Sequence, residues 1–98
     1  MRKYEIMIIF KPDLAEEAIT EVKERLTKII GDFKGEFIEE VSGWGKRRMA
    51  YSIEDYPEGI YLLWHFNGQA ETVAELDRVI KISDRILRHI IVRLDPKE

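Results

Sequence analysis

The spacing of apolar residues changes period repeatedly along this chain, and that alternation constrains the fold more than any other feature. In Tyr4-Glu5-Ile6-Met7-Ile8-Ile9-Phe10, a two-residue period puts Tyr4, Ile6, Ile8 and Phe10 on one face of a strand. Lys11-Pro12-Asp13 breaks that pattern, and Asp13 with Glu16 reads as a helix N-cap and its capping-box partner. Ile19, Val22, Leu26, Ile29, Ile30 and Phe33 then recur at helical spacing, with Gly31 or Gly35 expected to end the helix. Residues 36–53 read as one long strand, bulged or bent at Gly43 and Gly45. Residues 54–59 have the composition of a turn. Residues 60–67 predict a strand with Ile60, Leu62, Trp64 and Phe66 on one face and Tyr61, Leu63 and His65 on the other. Val73, Leu76, Val79 and Ile80 mark a second helix, residues 86–94 a last strand, and residues 95–98 a tail.

The order is β-α-β-β-α-β. With right-handed crossovers it leaves few alternatives to an α+β, ferredoxin-like fold, a four-stranded antiparallel sheet with both helices on one face. The chain has 98 residues, enough for one domain, expected over residues 1–94, that buries roughly 65% of its unfolded surface. The most apolar strands, the first and the one from Ile60, are expected in the centre.

Several function classes drop out. The chain has no Cys, which removes disulfides, thiolate metal sites and a Cys nucleophile. Its two histidines, His65 and His89, are expected on different strands and read as structural, so no metal is expected. Ser42, Ser52 and Ser83 lack a nucleophile-elbow context. Gly43-Trp44-Gly45 is not a phosphate-cradling loop. Glu39 and Glu40, adjacent on a strand, point to opposite faces and cannot share a catalytic site. The longest apolar run, residues 6–10, is too short to cross a bilayer. It is flanked by Arg2, Lys3 and Glu5 with no small-residue cleavage site after it, so it does not read as a signal peptide. The expectation is a cytoplasmic protein with no catalysis, cofactor, membrane contact or small-molecule substrate.

Three positive signals remain. The net charge is −3, yet bases gather in three places: Arg2 and Lys3, then Lys46, Arg47 and Arg48, then Arg78, Lys81, Arg85, Arg88 and Arg93. Local basic clusters in a mildly acidic domain suit a defined RNA site better than nonspecific coating. The first and last strands are expected to bring two of these clusters together. Second, Met7, Ile9, Tyr61 and Leu63 fall on the sheet face away from the helices and form an expected docking patch. Third, Trp44, followed by Lys46, Arg47 and Arg48, joins a stacking surface to phosphate-binding charge.

The residues that carry a family likeness are Tyr4-Glu5, the stretch Trp44-Gly45-Lys46-Arg47-Arg48-Met49-Ala50-Tyr51-Ser52-Ile53, Gly59, and Asp84-Arg85-Ile86-Leu87-Arg88-His89. With these the chain resembles the bacterial small-ribosomal-subunit protein six family from Arg2 to about Arg93. It departs at Ser52, where that family usually has proline. The resemblance implies a ferredoxin-like, non-enzymatic protein that binds the central domain of small-subunit rRNA together with ribosomal protein eighteen. By that analogy Arg2, Lys3, Arg85 and Arg88 are the expected RNA contacts. Lys46, Arg47 and Arg48 are expected to serve RNA, the partner or edge protection. Met7, Ile9, Tyr61, Leu63 and Trp44 are the expected partner contacts. An alternative of another class is a homodimeric ferredoxin-like barrel around a small ligand, carried by fold analogy alone.

Overall fold

The computed structural model describes residues 1–41, 46–53 and 56–94, with the backbone only for 46–52. The elements are β1 (Arg2–Phe10), α1 (Glu16–Asp32), β2 (Glu36–Glu40), β3 (Lys46–Ile53), β4 (Tyr56–Gly68), α2 (Ala70–Lys81) and β5 (Ile86–Arg93). β4 and β1 form the centre of an antiparallel sheet ordered β2-β4-β1-β5, and β3 also pairs with β4. The ferredoxin-like arrangement and its two central strands therefore stand as the periodicity predicts.

β2 and β3 occupy successive stretches of the same edge of β4. Phe37 lies opposite Phe66 and Glu40 opposite Trp64, while Lys46 lies opposite Ile60. Between them, the Val41 amide still donates to the Leu63 carbonyl at 2.8 Å. The expected long strand is thus two strands in line, with a register shift between Phe37 and Glu39. The bend expected at Gly43 and Gly45 lies outside the described residues, as does the tail from residue 95.

Two boundaries differ from expectation for local reasons. β4 begins at Tyr56 instead of Ile60, so Pro57 and Gly59 lie in a strand. The last β1 pair is Phe10 with Ile60, so the start of β4 runs past β1 with β3 as its neighbour. A proline, which donates no ladder bond, is tolerated at such an edge. At α1 the N-cap is Ala15, with no side-chain cap. Asp13 is used in a turn instead, where the Leu14 amide reaches the Lys11 carbonyl at 3.4 Å with Pro12 at the second position.

The end of α1 is closed by a Schellman pair. The Lys34 amide donates to Gly31 (2.9 Å) and the Gly35 amide to Ile30 (2.7 Å). Lys34, not a glycine, takes the left-handed position, at φ 63°. Gly35 is needed for a different reason: a Cβ there would lie 2.5 Å from the Asn67 carbonyl oxygen. The Gln69 amide at the start of α2 donates to the Thr72 hydroxyl at 3.1 Å.

The core lies between the helices and one sheet face. Ile6, Ile8 and Phe10 from β1 and Leu62, Trp64 and Phe66 from β4 meet Leu26, Ile29 and Ile30 from α1 and Leu76, Val79 and Ile80 from α2. Burying each such side chain contributes about 1.5–3 kcal/mol before the entropy of ordering is counted. Tyr4 stacks on Phe66 at 5.5 Å between centroids, and Phe37 meets the edge of Trp64 at 4.7 Å. Phe33, which the helical spacing put in this stripe, is the C-cap of α1 and is exposed.

Candidate nucleic-acid interface

Register decides where the basic clusters meet. Tyr4 lies opposite Arg93 and Ile9 opposite Arg88 across the antiparallel β1–β5 pair. Arg2 and Lys3 therefore share one end of the sheet with Arg93. Arg85 and Arg88 sit at the other end, about 20 Å away at ~3.3 Å per residue. The first and last strands do join two clusters, but through Arg93. The backbone of Lys46, Arg47 and Arg48 lies opposite Ile60, Gly59 and Glu58, so this run belongs to the same end as Lys11, Arg85 and Arg88. Trp44 lies outside the described residues.

The cations differ in exposure, and contacts to acids hold several of them. Arg2, Lys3, Arg88 and Arg93 are exposed. Arg85 is tied to α1, with Nη1 3.0 Å from Glu21 Oε1 and 3.4 Å from the Ala18 carbonyl. Arg78 forms a two-pronged pair with Glu75 at 2.7 and 2.9 Å. That hydrogen bond, with the guanidinium charge, holds the Glu75 carboxyl below its usual range. Lys81 pairs with Asp77 at 3.0 Å. Pairing with acids thus claims part of the third cluster.

The sheet face away from the helices carries Met7, Tyr61 and Leu63, half-buried, as the two-residue period predicts. Ile9 does not belong to the exposed surface. It is only 4% exposed, with Tyr61 and Arg88 as its neighbours across the two ladders. The long arginine stem covers apolar surface of this kind. Among the described residues, Ile90 (51%) and Val92 (38%) on β5 are exposed apolar side chains of this face, which the sequence reading did not single out. They were recognisable only once β5 was known to be an edge strand in register with Met7 and Glu5.

Polar contacts around the two histidines were also missed. His65 Nε2 lies 3.0 Å from Glu5 Oε2, and Nδ1 lies 3.3 Å from Glu39 Oε2. This row ties β1, β4 and β2 together on the open face. His89 Nε2 lies 2.6 Å from Asp77 Oδ1, joining β5 to α2. The hydrogen bond from His89, then that from Lys81, holds the Asp77 carboxyl below its usual range. Glu39 and Glu40 do point to opposite faces. Glu40 Oε1 accepts the Trp64 indole N–H at 2.9 Å on the helix side. Partial burial pushes the Glu40 carboxyl up, but the bonds from Trp64 and Lys23 more than offset it, so it sits below its usual range. Among the described residues, no His, Cys, Asp and Glu cluster could hold a metal ion, and no helix is long and apolar enough to cross a membrane.

Comparison with known proteins agrees with this geometry. The family model for Ribosomal protein S6 matches residues 3–93. Small ribosomal subunit protein bS6 of Syntrophomonas wolfei is 63% identical over 97 residues, covering 99% of this chain and 100% of the relative. Its counterpart from Moorella thermoacetica is 45% identical over 95 residues, covering 97% and 96%. The crystal structure of 30S ribosomal protein S6 from Thermotoga maritima superposes with a TM-score of 0.85 at 31% identity, covering 95% of this chain and 87% of that one. Fold and relatives together define a structural protein of the bacterial small ribosomal subunit. The chain belongs to the ribosomal protein S6 family, so its place is the cytoplasmic ribosome.

Proposed function

We propose that the protein binds the central domain of small-subunit rRNA as a heterodimer with ribosomal protein eighteen, by phosphate positioning and shape and without turnover. The observation that carries this reading is the segregation of charge. Exposed Arg2, Lys3 and Arg93 lie at one end of the sheet, and exposed Arg88 lies at the other end, to which the Lys46–Arg48 backbone run also belongs, two strands away. Arg2, Lys3 and Arg88 are the main phosphate contacts on this reading. Arg85, half-buried and bonded to Glu21, contributes from the same end as Arg88. Met7, Tyr61 and Leu63, with Ile90 and Val92, form the apolar surface for the protein partner, and Trp44, next to the basic run in sequence, is a further partner contact on this reading. No cofactor or small-molecule substrate is required. The family match does not favour the small-ligand homodimer.

The test is filter retention of a central-domain rRNA fragment across a salt series, with and without ribosomal protein eighteen. Tight retention only with the partner present is the expected result. Arg88→Ala should weaken retention and lower the salt slope by about one. A slope identical to wild type would remove Arg88 from the interface, and no retention with both folded proteins present would refute the reading.

A further inference from the structure

A recess of about 340 Å³ opens at the start of β5, where cationic and polar side chains share the lining with apolar Ile80, Ile86 and Leu87. Lys11, Lys81 and Arg88 line it with Ser83 and His89, and Asp84 is the one acid on the wall. Counting Asp77, which pairs with Lys81, three cations stand against two carboxylates around the recess. These groups come from four segments: the end of β1, the last turn of α2, the loop after it, and β5. Their positions are fixed from behind. The Lys11 amide donates to the Arg85 carbonyl at 3.1 Å, tying the end of β1 to the start of β5. Asp77 anchors both Lys81, at 3.0 Å, and His89, at 2.6 Å. A lysine ammonium carries three N–H donors, so this ion pair leaves two for another acceptor. The register also slips here: Ile9 faces Arg88 while Phe10 faces Ile86. That leaves Leu87 as an extra residue, and such bulges re-aim neighbouring side chains beside binding sites.

We propose that this recess seats one backbone phosphate of an RNA strand, with Lys11, Lys81 and Arg88 closing around its oxygens. Separate cations and a hydroxyl lining one recess suit a tetrahedral oxyanion, and the volume of about 340 Å³ exceeds that of a bare ion. That the phosphate belongs to an RNA strand rests on the function proposed above; that the ligand is a phosphate rests on the wall itself.

The direct test titrates the full-length protein with pentauridylate while following backbone amides by NMR. Saturable shifts at Ser83, Arg88 and His89 are expected. They should be lost in Lys11→Gln and in Lys81→Gln, with the remaining spectrum intact. They should persist in Arg78→Gln, which removes the same charge from α2 outside the recess. Absence of shifts at these amides, or an equal loss in Arg78→Gln, overturns the site. Uridine 5′-monophosphate binding more tightly than pentauridylate would overturn the assignment to an RNA strand. In the rRNA-fragment assay with ribosomal protein eighteen, each lysine variant should weaken retention about fivefold and reduce the salt slope by less than the ~0.7–0.9 of one whole phosphate. Because both lysines serve one phosphate, the double variant should be little worse than either. Wild-type protein that shifts with pentauridylate but fails to retain the fragment would refute the rRNA reading and leave the recess standing. Fragment retention unchanged in both lysine variants would refute the recess and leave the rRNA reading standing.

Discussion

Gly31 and Gly35 stand four residues apart at the end of α1, and the same substitution should have opposite effects at the two. Gly31 is helical, and a Cβ built on it meets nothing within 4 Å. Gly31→Ala adds no clash and removes backbone freedom from the unfolded chain, a gain of about 0.5–1 kcal/mol. Proximity to the helix end favours the lower figure. Gly35 is different: its Cβ would lie 2.5 Å from the Asn67 carbonyl oxygen and 3.1 Å from Ile30. Asn67 is held on both sides, opposite Lys3 of β1 and Glu36 of β2. That oxygen therefore cannot retreat without disturbing two ladders. Overpacking costs about 1–3 kcal/mol, and an immobile backbone obstacle calls for the upper part of that range.

The two alanines should thus differ by about 3 kcal/mol, from the gain and the loss together. For a chain this long, unfolding entropy near the midpoint makes 1 kcal/mol worth about 5 °C. Gly31→Ala should raise Tm by about 3 °C and Gly35→Ala lower it by about 10–15 °C. Paired urea melts, read by circular dichroism, check the free energies at equal slope. A Gly35→Ala protein within about 0.5 kcal/mol of wild type, with an unchanged urea dependence, would refute the reasoning.

Three other outcomes follow from named contacts. Lys34→Gly should stabilise by about 0.5–1 kcal/mol, since a side chain now occupies a left-handed position; calorimetry of the variant checks it. Phe10→Ala removes a ring with 0% exposure and should cost about 3–5 kcal/mol in denaturant melts. The lowered carboxyls of Glu40 and Asp77 contribute stability that is fully present above the unfolded carboxylate range and is lost as pH falls through their folded values. Stability should therefore drop below about pH 4, and Glu40→Gln should flatten that acid slope in urea midpoints measured against pH.

Much of the fold was legible because each element buries one face, and the period of its apolar residues reports that face directly. Even the central strands were legible, since β1 and β4 are the most apolar. The misplaced boundaries have two causes: a neighbour far along the chain at β4, and a competing local turn before α1. Pro57 and Gly59 look like a turn until β3 is known to extend β4 past the end of β1. Asp13 looks like a cap until Pro12 claims it for a turn. Site residues were legible by type and not by grouping. Arg2 and Arg88 are both basic, but only the antiparallel register sends them to opposite ends. His65 meets Glu5 and Glu39, 60 and 26 residues away, and no spacing rule spans such distances.

The net charge of −3 restricts how such a domain can hold RNA. Binding that depends on bulk charge needs a positive field over the whole approach, and the exposed acids of α1, Glu16, Glu17, Glu21 and Glu24, oppose one. On the proposed reading, affinity comes from a few phosphates met at fixed places, each contributing about 0.7–0.9 to the salt slope. A handful of contacts at two ends about 20 Å apart requires RNA of defined shape, because a flexible strand would lose the second set to entropy. A basic protein bound to the apolar sheet face would change that balance in two ways. It would add cations to the same approach, and it would fix the edge strand β5, which carries Arg88 and Arg93. On the proposed reading, then, assembly order follows from electrostatics: the partner docks first through apolar surface, which salt does not weaken, and the composite surface binds RNA second. Raising salt should accordingly abolish RNA retention well before it separates the two proteins. Loss of both at the same salt concentration, in size-exclusion runs of the three components, would contradict this order.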